Sequence, residues 1–290
     1  MSESNDIKVI VNPYNFNNKL LTEKNVYTVL RKFDIQGTIY SMKYYQLAFI
    51  HSSYTKKAPM EIGENVVLAK KPEGALELMD GDYERLEFLG DAVVSIVVAK
   101  YLFERFPDEN EGFLTKMRTK LVNGEMLGYL ASKLGFGEFA IMSRHIEDKC
   151  KGRTSQHILE DMFEAFVGAM FLDFNEIDNY NLLDNFYSGI GFQICEKFII
   201  HVIEEHVDFS ELILKNTNYK EMLNKYFNET YEMPINFSSP TVEGGLNDRL
   251  YTVEVLDDNN VVMGTGVGKS KKKAEQYACK DTLINLKIIT

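Results

Sequence analysis

Apolar residues recur at helical spacing from about residue 26 to residue 205, in runs separated by short polar breaks, and after that the period changes. Three stretches, Ile235 to Val242, Arg249 to Leu256 and Val261 to Gly268, alternate with period two. They lie between a helical segment at Tyr219 to Tyr226 and a helix from Ser270 to about Leu286. Asp257-Asp258-Asn259-Asn260 is the clearest hairpin signal of the chain. The pattern predicts a multidomain protein: an all-α domain over residues 26–206, a linker at 207–217, and an α+β module of order α-β-β-β-α over 218–288. Residues 1–25 are polar, Asn-rich and weakly periodic, and are expected to form a loosely attached N-terminal extension. No strand pair is expected within the helical region. Thr55 to Asp82, with Pro59, Gly63, Pro72, Gly74 and Gly81, reads as an inserted loop, and Phe174 to Phe192 as a second insertion.

One helical run conflicts with itself. YERLEFLGDAVV, Tyr83 to Val94, sets three carboxylates in an otherwise apolar stretch. Wound at roughly 100° per residue, Glu84, Glu87 and Asp91 at i, i+3 and i+7 fall within an arc of about 60°. Leu86, Phe88, Leu89, Ala92, Val93, Ile96 and Val97 cover most of the remaining circumference, so the helix is expected to lie inside a core. Ionised groups there are expensive to desolvate without compensation. His157 to Asp173 repeats the theme, with Asp161 and Glu164 at i, i+3 among Phe163, Ala165, Phe166, Val167 and Met170. Two such helices would make an all-oxygen site for a hard divalent cation, Mg²⁺ or Mn²⁺.

Composition narrows the class. Three well-separated cysteines, Cys150, Cys195 and Cys279, indicate neither a disulfide framework nor a zinc site, which points to a reducing compartment. Ala92 to Phe103 and Phe163 to Asp173, the longest apolar stretches, fall short of the about 18 residues of a membrane span. No signal peptide is evident. A soluble, intracellular and cytoplasmic protein is expected, with the nucleus as the alternative and no membrane partner. The net charge of −11 argues against a nucleic-acid binder until it is divided along the chain. Residues 217–290 carry nine Lys+Arg against ten Asp+Glu, which leaves −10 in the first 216 residues. Lys269, Lys271, Lys272 and Lys273 cluster within five residues, and such a local patch, rather than the overall charge, meets phosphates.

ERLEFLGDA, Glu84 to Ala92, resembles the signature of the ribonuclease III family, and three further segments match that family in order: LAFIHSSY (Leu47 to Tyr54), EGFLTKMRTKLVNGEML (Glu111 to Leu127) and LEDMFEAFVGAMFLD (Leu159 to Asp173). The C-terminal module resembles the double-stranded-RNA-binding domain, most distinctively in GTGVGKSKKKAEQYA, Gly264 to Ala278. Together the similarity covers about residues 25 to 288. It implies an all-α ribonuclease III endonuclease domain followed by an α-β-β-β-α RNA-binding domain. Its metal-binding and catalytic carboxylates would be Glu87, Asp91, Asp161 and Glu164, all intact, with Glu84 and Glu125 as accessory acidic positions. Gly90 and Gly168, inside helical patterns where glycine costs about 1 kcal/mol relative to Ala, are expected to permit close approach of another backbone.

The activity so implied is hydrolysis of double-stranded RNA by a homodimer using Mg²⁺, with Mn²⁺ as an acceptable substitute, leaving 5′-phosphate and 3′-hydroxyl ends. RNA contacts are expected from Asn224 and Lys225 on the module's first helix, from Asn247 and from Lys269, Lys271, Lys272 and Lys273. At the loop where the family favours Gly-Pro-x-His this chain has Gly244-Gly245-Leu246-Asn247. GTGVGKS nearly spells a phosphate-binding loop, yet that motif needs glycine where Met263 stands. His51 is expected to pack or cap, and His157, next to the acidic helix, either to touch RNA or to take a surface role. The alternative function is a non-catalytic double-stranded-RNA-binding protein on the same fold, which loss of a metal carboxylate would favour.

Overall fold

The structure, a computed structural model, describes residues 9–58, 66–175, 189–214, 218–245 and 249–289. The chain folds as two compact units, Met1–Phe209 and Ser210–Thr290.

The first unit is built around one helix. Its described elements are β1 (Val9–Val11), α1 (Glu23–Lys32), α2 (Met42–Leu47), β2 (Val66–Leu68), α3 (Glu84–Arg105), α4 (Glu111–Leu121), α5 (Gly124–Lys133), α6 (Arg144–Cys150), α7 (Gln156–Asn175) and α8 (Gly189–His206); the short α9 (Phe209–Leu214) begins at the unit's last residue and otherwise belongs to the second unit. Side chains fix several starts. Thr22 and Asn25 cap each other at α1, while Asn110 and Asn123 accept the amides of Phe113 and Met126 at α4 and α5. Apolar nearly all round, α7 is buried continuously from Asp161 to Met170, with α2, α3, α5 and α8 packed against it. Phe166 is the hub of that core. Its ring lies 5.0–6.2 Å from those of Tyr45, Phe49, Phe136 and Phe198.

Three expectations need correction here. The extension is not loose over its described part: Tyr14 and Leu21 are buried, and Asn15 and Asn18 both donate to the Met142 carbonyl. Its many asparagines supply hydrogen bonds that periodicity cannot reveal. Nor is the helical unit free of strands, because β1 pairs in parallel with β2, joining the extension to the inserted loop. Ala75 and Leu78 of that loop also join the small core of Tyr14, Ile50, Tyr54 and Ile141. Finally, α3 is not enclosed. Leu86, Val93 and Val97 are buried, but Phe88 is 81% and Ile96 57% exposed, with Ala92 exposed between them. An apolar strip therefore runs along its outer side.

The second unit contains α10 (Tyr219–Tyr231), β3 (Asn236–Phe237), β4 (Thr241–Glu243), β5 (Leu250–Leu256), β6 (Val262–Gly268) and α11 (Lys271–Asn285). The first expected strand is broken in two, β3 and β4 pairing in turn with the same side of β5. Pro240, which has no amide hydrogen to donate, lies in the gap. The expected hairpin turn is present: Asp257 donates its amide to the Val261 carbonyl, its side chain accepts from Asn259 and Val261, and Asn260 takes a φ of 60°. On the inner face of β6 a Cβ at Gly266 would overlap Ala274 and Ala278 of α11, so the helix lies on the strand backbone. Asp281 accepts the Thr265 amide and Asn285 donates to the Met263 carbonyl, closing the strand's free edge.

Candidate active site

Two glycines let α3 and α7 touch at the backbone. A Cβ on Gly90 would overlap the carbonyl oxygen of Glu164, and one on Gly168 that of Leu86. Both glycines are buried, as a close approach requires. Side chains one turn either side of the contact consequently share one cleft. Glu87 and Asp91 enter from α3, half-buried and exposed respectively; Asp161 and Glu164 enter from α7, each 7% exposed.

Asp161 is the most constrained of the four. Its Oδ2 accepts the Tyr83 hydroxyl at 2.9 Å, while Oδ1 lies 3.2 Å from Nδ1 of His157. His157 also approaches Oε2 of Glu160 at 3.5 Å. The ligand atoms of His157, Glu160 and Asp161 all lie within 4.8 Å of one another, which makes them the tightest group of potential ligands among the described residues. Glu87, Asp91 and Glu164 stand outside that group, yet their charges act on it.

Burial pushes the Glu164 carboxyl up to about 8, with further upward contributions from Asp91, Glu160, Glu87 and Asp161. Glu87 is raised by burial, Asp161, Glu84 and Glu160, against a lowering by His157. Glu160 is raised by burial and by Asp161 and Asp91, although its hydrogen bond to His157 acts the other way. Among the described residues His157 is the one potentially cationic side chain in ion-pair contact with any of these acids. The cleft is thus an assembly of oxygen donors short of positive charge.

Of the accessory positions, Glu84 and Glu125 are both exposed, in the first turns of α3 and α5. Spacing does not single out Glu160, although it adjoins Asp161. Seen in sequence it is one more charge; only the packing of α7 on α5, where Glu160 fills the space beside Gly124, turns it into the cleft. His51 caps the turn that follows it, its Nδ1 accepting the Ser53 amide at 3.0 Å.

In the second unit Lys269, Lys271, Lys272 and Lys273 are all exposed around the start of α11, where Ser270 accepts the Lys273 amide. Lys271 lies 3.9 Å from Glu275. On α10 Lys225 is exposed, 3.9 Å from Glu229, and Asn224 is half-buried. Asn247 lies outside the described residues.

Known proteins resemble both units. Residues 84–175 match the Ribonuclease III domain family and residues 219–286 the double-stranded RNA binding motif. A ribonuclease 3 of Lactococcus lactis subsp. cremoris is 33% identical over 249 residues, covering 85% of this chain and 92% of that protein. A probable ribonuclease 3 of Acanthamoeba polyphaga mimivirus is 32% identical over 244 residues, 83% of this chain, which spans 40% of the viral protein. The nuclease domain of ribonuclease III from Campylobacter jejuni aligns at 27% identity and a TM-score of 0.45, over 62% of this chain and 96% of that one. The chain belongs to the ribonuclease III family of endoribonucleases, with a double-stranded RNA binding motif following its nuclease domain.

Proposed function

We propose that this endoribonuclease hydrolyses double-stranded RNA in a reaction dependent on a divalent metal, with Glu87, Asp91, Asp161 and Glu164 as the ligands and products ending in 5′-phosphate and 3′-hydroxyl. One observation carries the reading: the α3–α7 contact gathers four carboxylates in one cleft, with Asp161 and Glu164 each 7% exposed, and burial first and the neighbouring acids second push the Glu164 carboxyl up to about 8. Such a donor set fits a hard cation such as Mg²⁺, with Mn²⁺ as a substitute, because it offers only carboxylate oxygens and leaves their charge unmatched. When bound, the ion would supply a water of lowered pKa and positive charge opposite the phosphate.

The protein's own part is positioning. The α3–α7 contact fixes where Glu87 and Asp91 stand relative to Asp161 and Glu164, and the buried walls limit water around them. Glu164 must lose its proton to serve as a ligand, so ligand capacity grows towards alkaline pH. Glu84 and Glu125 remain free to meet the substrate or to order the cleft.

Cutting both strands of a duplex calls for two such clefts, and the exposed strip Phe88, Ala92 and Ile96 supports a homodimer joined along α3. In the second unit the lysines at the start of α11 suit phosphates of double-stranded RNA, since a helix N-terminus and ammonium groups both favour anions. Asn224, Lys225 and Asn247 are assigned to the same substrate. The reading is tested by incubating the protein with a long duplex RNA in Mg²⁺, in Mn²⁺ and in chelator. Short duplex products with the stated ends, formed only with metal, are expected; undiminished cleavage in chelator would overturn it.

A further inference from the structure

We propose that Tyr83 is a positioning residue for the metal site, holding Asp161 so that one carboxylate oxygen is spent on the protein and the other turned to the cleft. This rests on the reading of Asp161 as a ligand and extends it to a residue outside the carboxylate set.

The geometry is specific. Tyr83 is 4% exposed, and its hydroxyl donates to Oδ2 of Asp161 at 2.9 Å. Its backbone amide donates to the Ile50 carbonyl at 2.9 Å, and the His51 ring stands edge-on to its own, with centroids 5.9 Å apart at 80°. His51 is fixed in turn through Ser53, whose amide donates to Nδ1 and whose hydroxyl accepts the Ser143 amide. The segment Ile50 to Ser53 therefore grips Tyr83, and Tyr83 grips Asp161. A long aromatic side chain held at both ends has little freedom, so the carboxylate it holds is fixed in rotation. Oδ1 then lies on the side of His157, 3.2 Å from its Nδ1. Fixing a ligand through its free oxygen raises affinity by removing orientations that would be lost on binding, and losing such a partner typically costs about 10–100-fold in metal affinity or activity.

The test is a Mn²⁺ titration of the full chain without RNA, by calorimetry, with the same titration of cleavage in parallel. Tyr83→Phe keeps the ring and removes only the hydroxyl. Its half-saturating Mn²⁺ should rise about tenfold in both titrations, cleavage should recover at saturating Mn²⁺, and the melting temperature without metal should stay near that of the wild type. Asp161→Asn should lose tight Mn²⁺ binding, and adding Tyr83→Phe to it should cost nothing more. If Asp161→Asn weakens binding but Tyr83→Phe titrates like the wild type, the positioning role is wrong and the ligand assignment stands. A Tyr83→Phe protein with reduced binding capacity but unchanged half-saturation would assign the residue to packing alone and also overturn the proposal. Wild-type Mn²⁺ binding by Asp161→Asn would remove the ligand assignment and the proposal with it.

Discussion

Gly90 on α3 lies against the backbone carbonyl of Glu164 on α7, and a Cβ placed on it would overlap that oxygen and come within 3.1 Å of the Gly168 amide nitrogen. Neither neighbour can yield, since both are backbone of the buried central helix. Gly90→Ala should therefore force the helices apart, destabilising the protein by roughly 3 kcal/mol and abolishing cleavage. Thermal denaturation with a duplex cleavage assay checks it; a stable, active variant would show that the contact does not set the cleft.

Glu164 ties stability to pH. Its pKa is raised from 4.5 to about 8 in the folded protein, so between those values the native state keeps a proton that the unfolded chain has lost. Stability from this group is full below the lower value and falls as pH rises through the upper one. Without metal, the melting temperature should drop from about pH 5 to about pH 8.5, and Glu164→Gln should flatten that slope. The same substitution should lower cleavage in Mg²⁺ by at least about a hundredfold, because it removes a charged donor while keeping the shape. A variant that keeps the slope would assign the pH dependence elsewhere.

Metal should reverse the loss. At pH 8, Mg²⁺ in hundredfold excess over its dissociation constant should raise stability by about 2.7 kcal/mol, and a chelator should cancel the gain. Calorimetric melts with and without Mg²⁺ measure it; because binding displaces the Glu164 proton, the gain at that same Mg²⁺ concentration should be smaller near pH 6. A pH-independent gain would contradict the assigned ligand set.

The strip on α3 predicts assembly. Phe88→Glu with Ile96→Glu places charges where apolar side chains are already exposed, so folding should survive while any association through that face fails. Light scattering at micromolar concentration should find a dimer for the wild type and a monomer for the double variant, which should nick duplex RNA or leave it uncut. A dimeric double variant would place the interface elsewhere.

Lys271 and Lys272 separate binding from chemistry. Changing both to Ala should reduce duplex affinity at physiological salt by roughly tenfold or more, with a shallower salt dependence, at about 1 kcal/mol per phosphate contact. Single-turnover cleavage at low salt and saturating protein should stay close to wild type. Since Lys271 lies 3.9 Å from Glu275, the Lys272 substitution is expected to contribute the larger share. Normal binding with lost cleavage would show that these lysines act in catalysis or folding instead.

Much of this protein was legible in the sequence because the relevant patterns are local. Helical spacing placed Glu87 with Asp91 and Asp161 with Glu164, each pair on one face of its own helix, and the change to period two marked the second unit. Gly90 and Gly168 announced a close approach because glycine is costly in a helix without one. What one chain segment cannot encode is its partner. Whether Phe88 and Ile96 face a core or solvent depends on which side of α3 meets α7, and an apolar residue reads the same in either place. The anchoring of Asn15 and Asn18, the β1–β2 pair and the placement of Glu160 in the cleft arise from contacts between segments distant in sequence, which leave no periodicity. Tyr83 shows the division most simply: the sequence set an aromatic residue beside the acidic signature, and tertiary packing alone brought its hydroxyl to Asp161, 78 residues away.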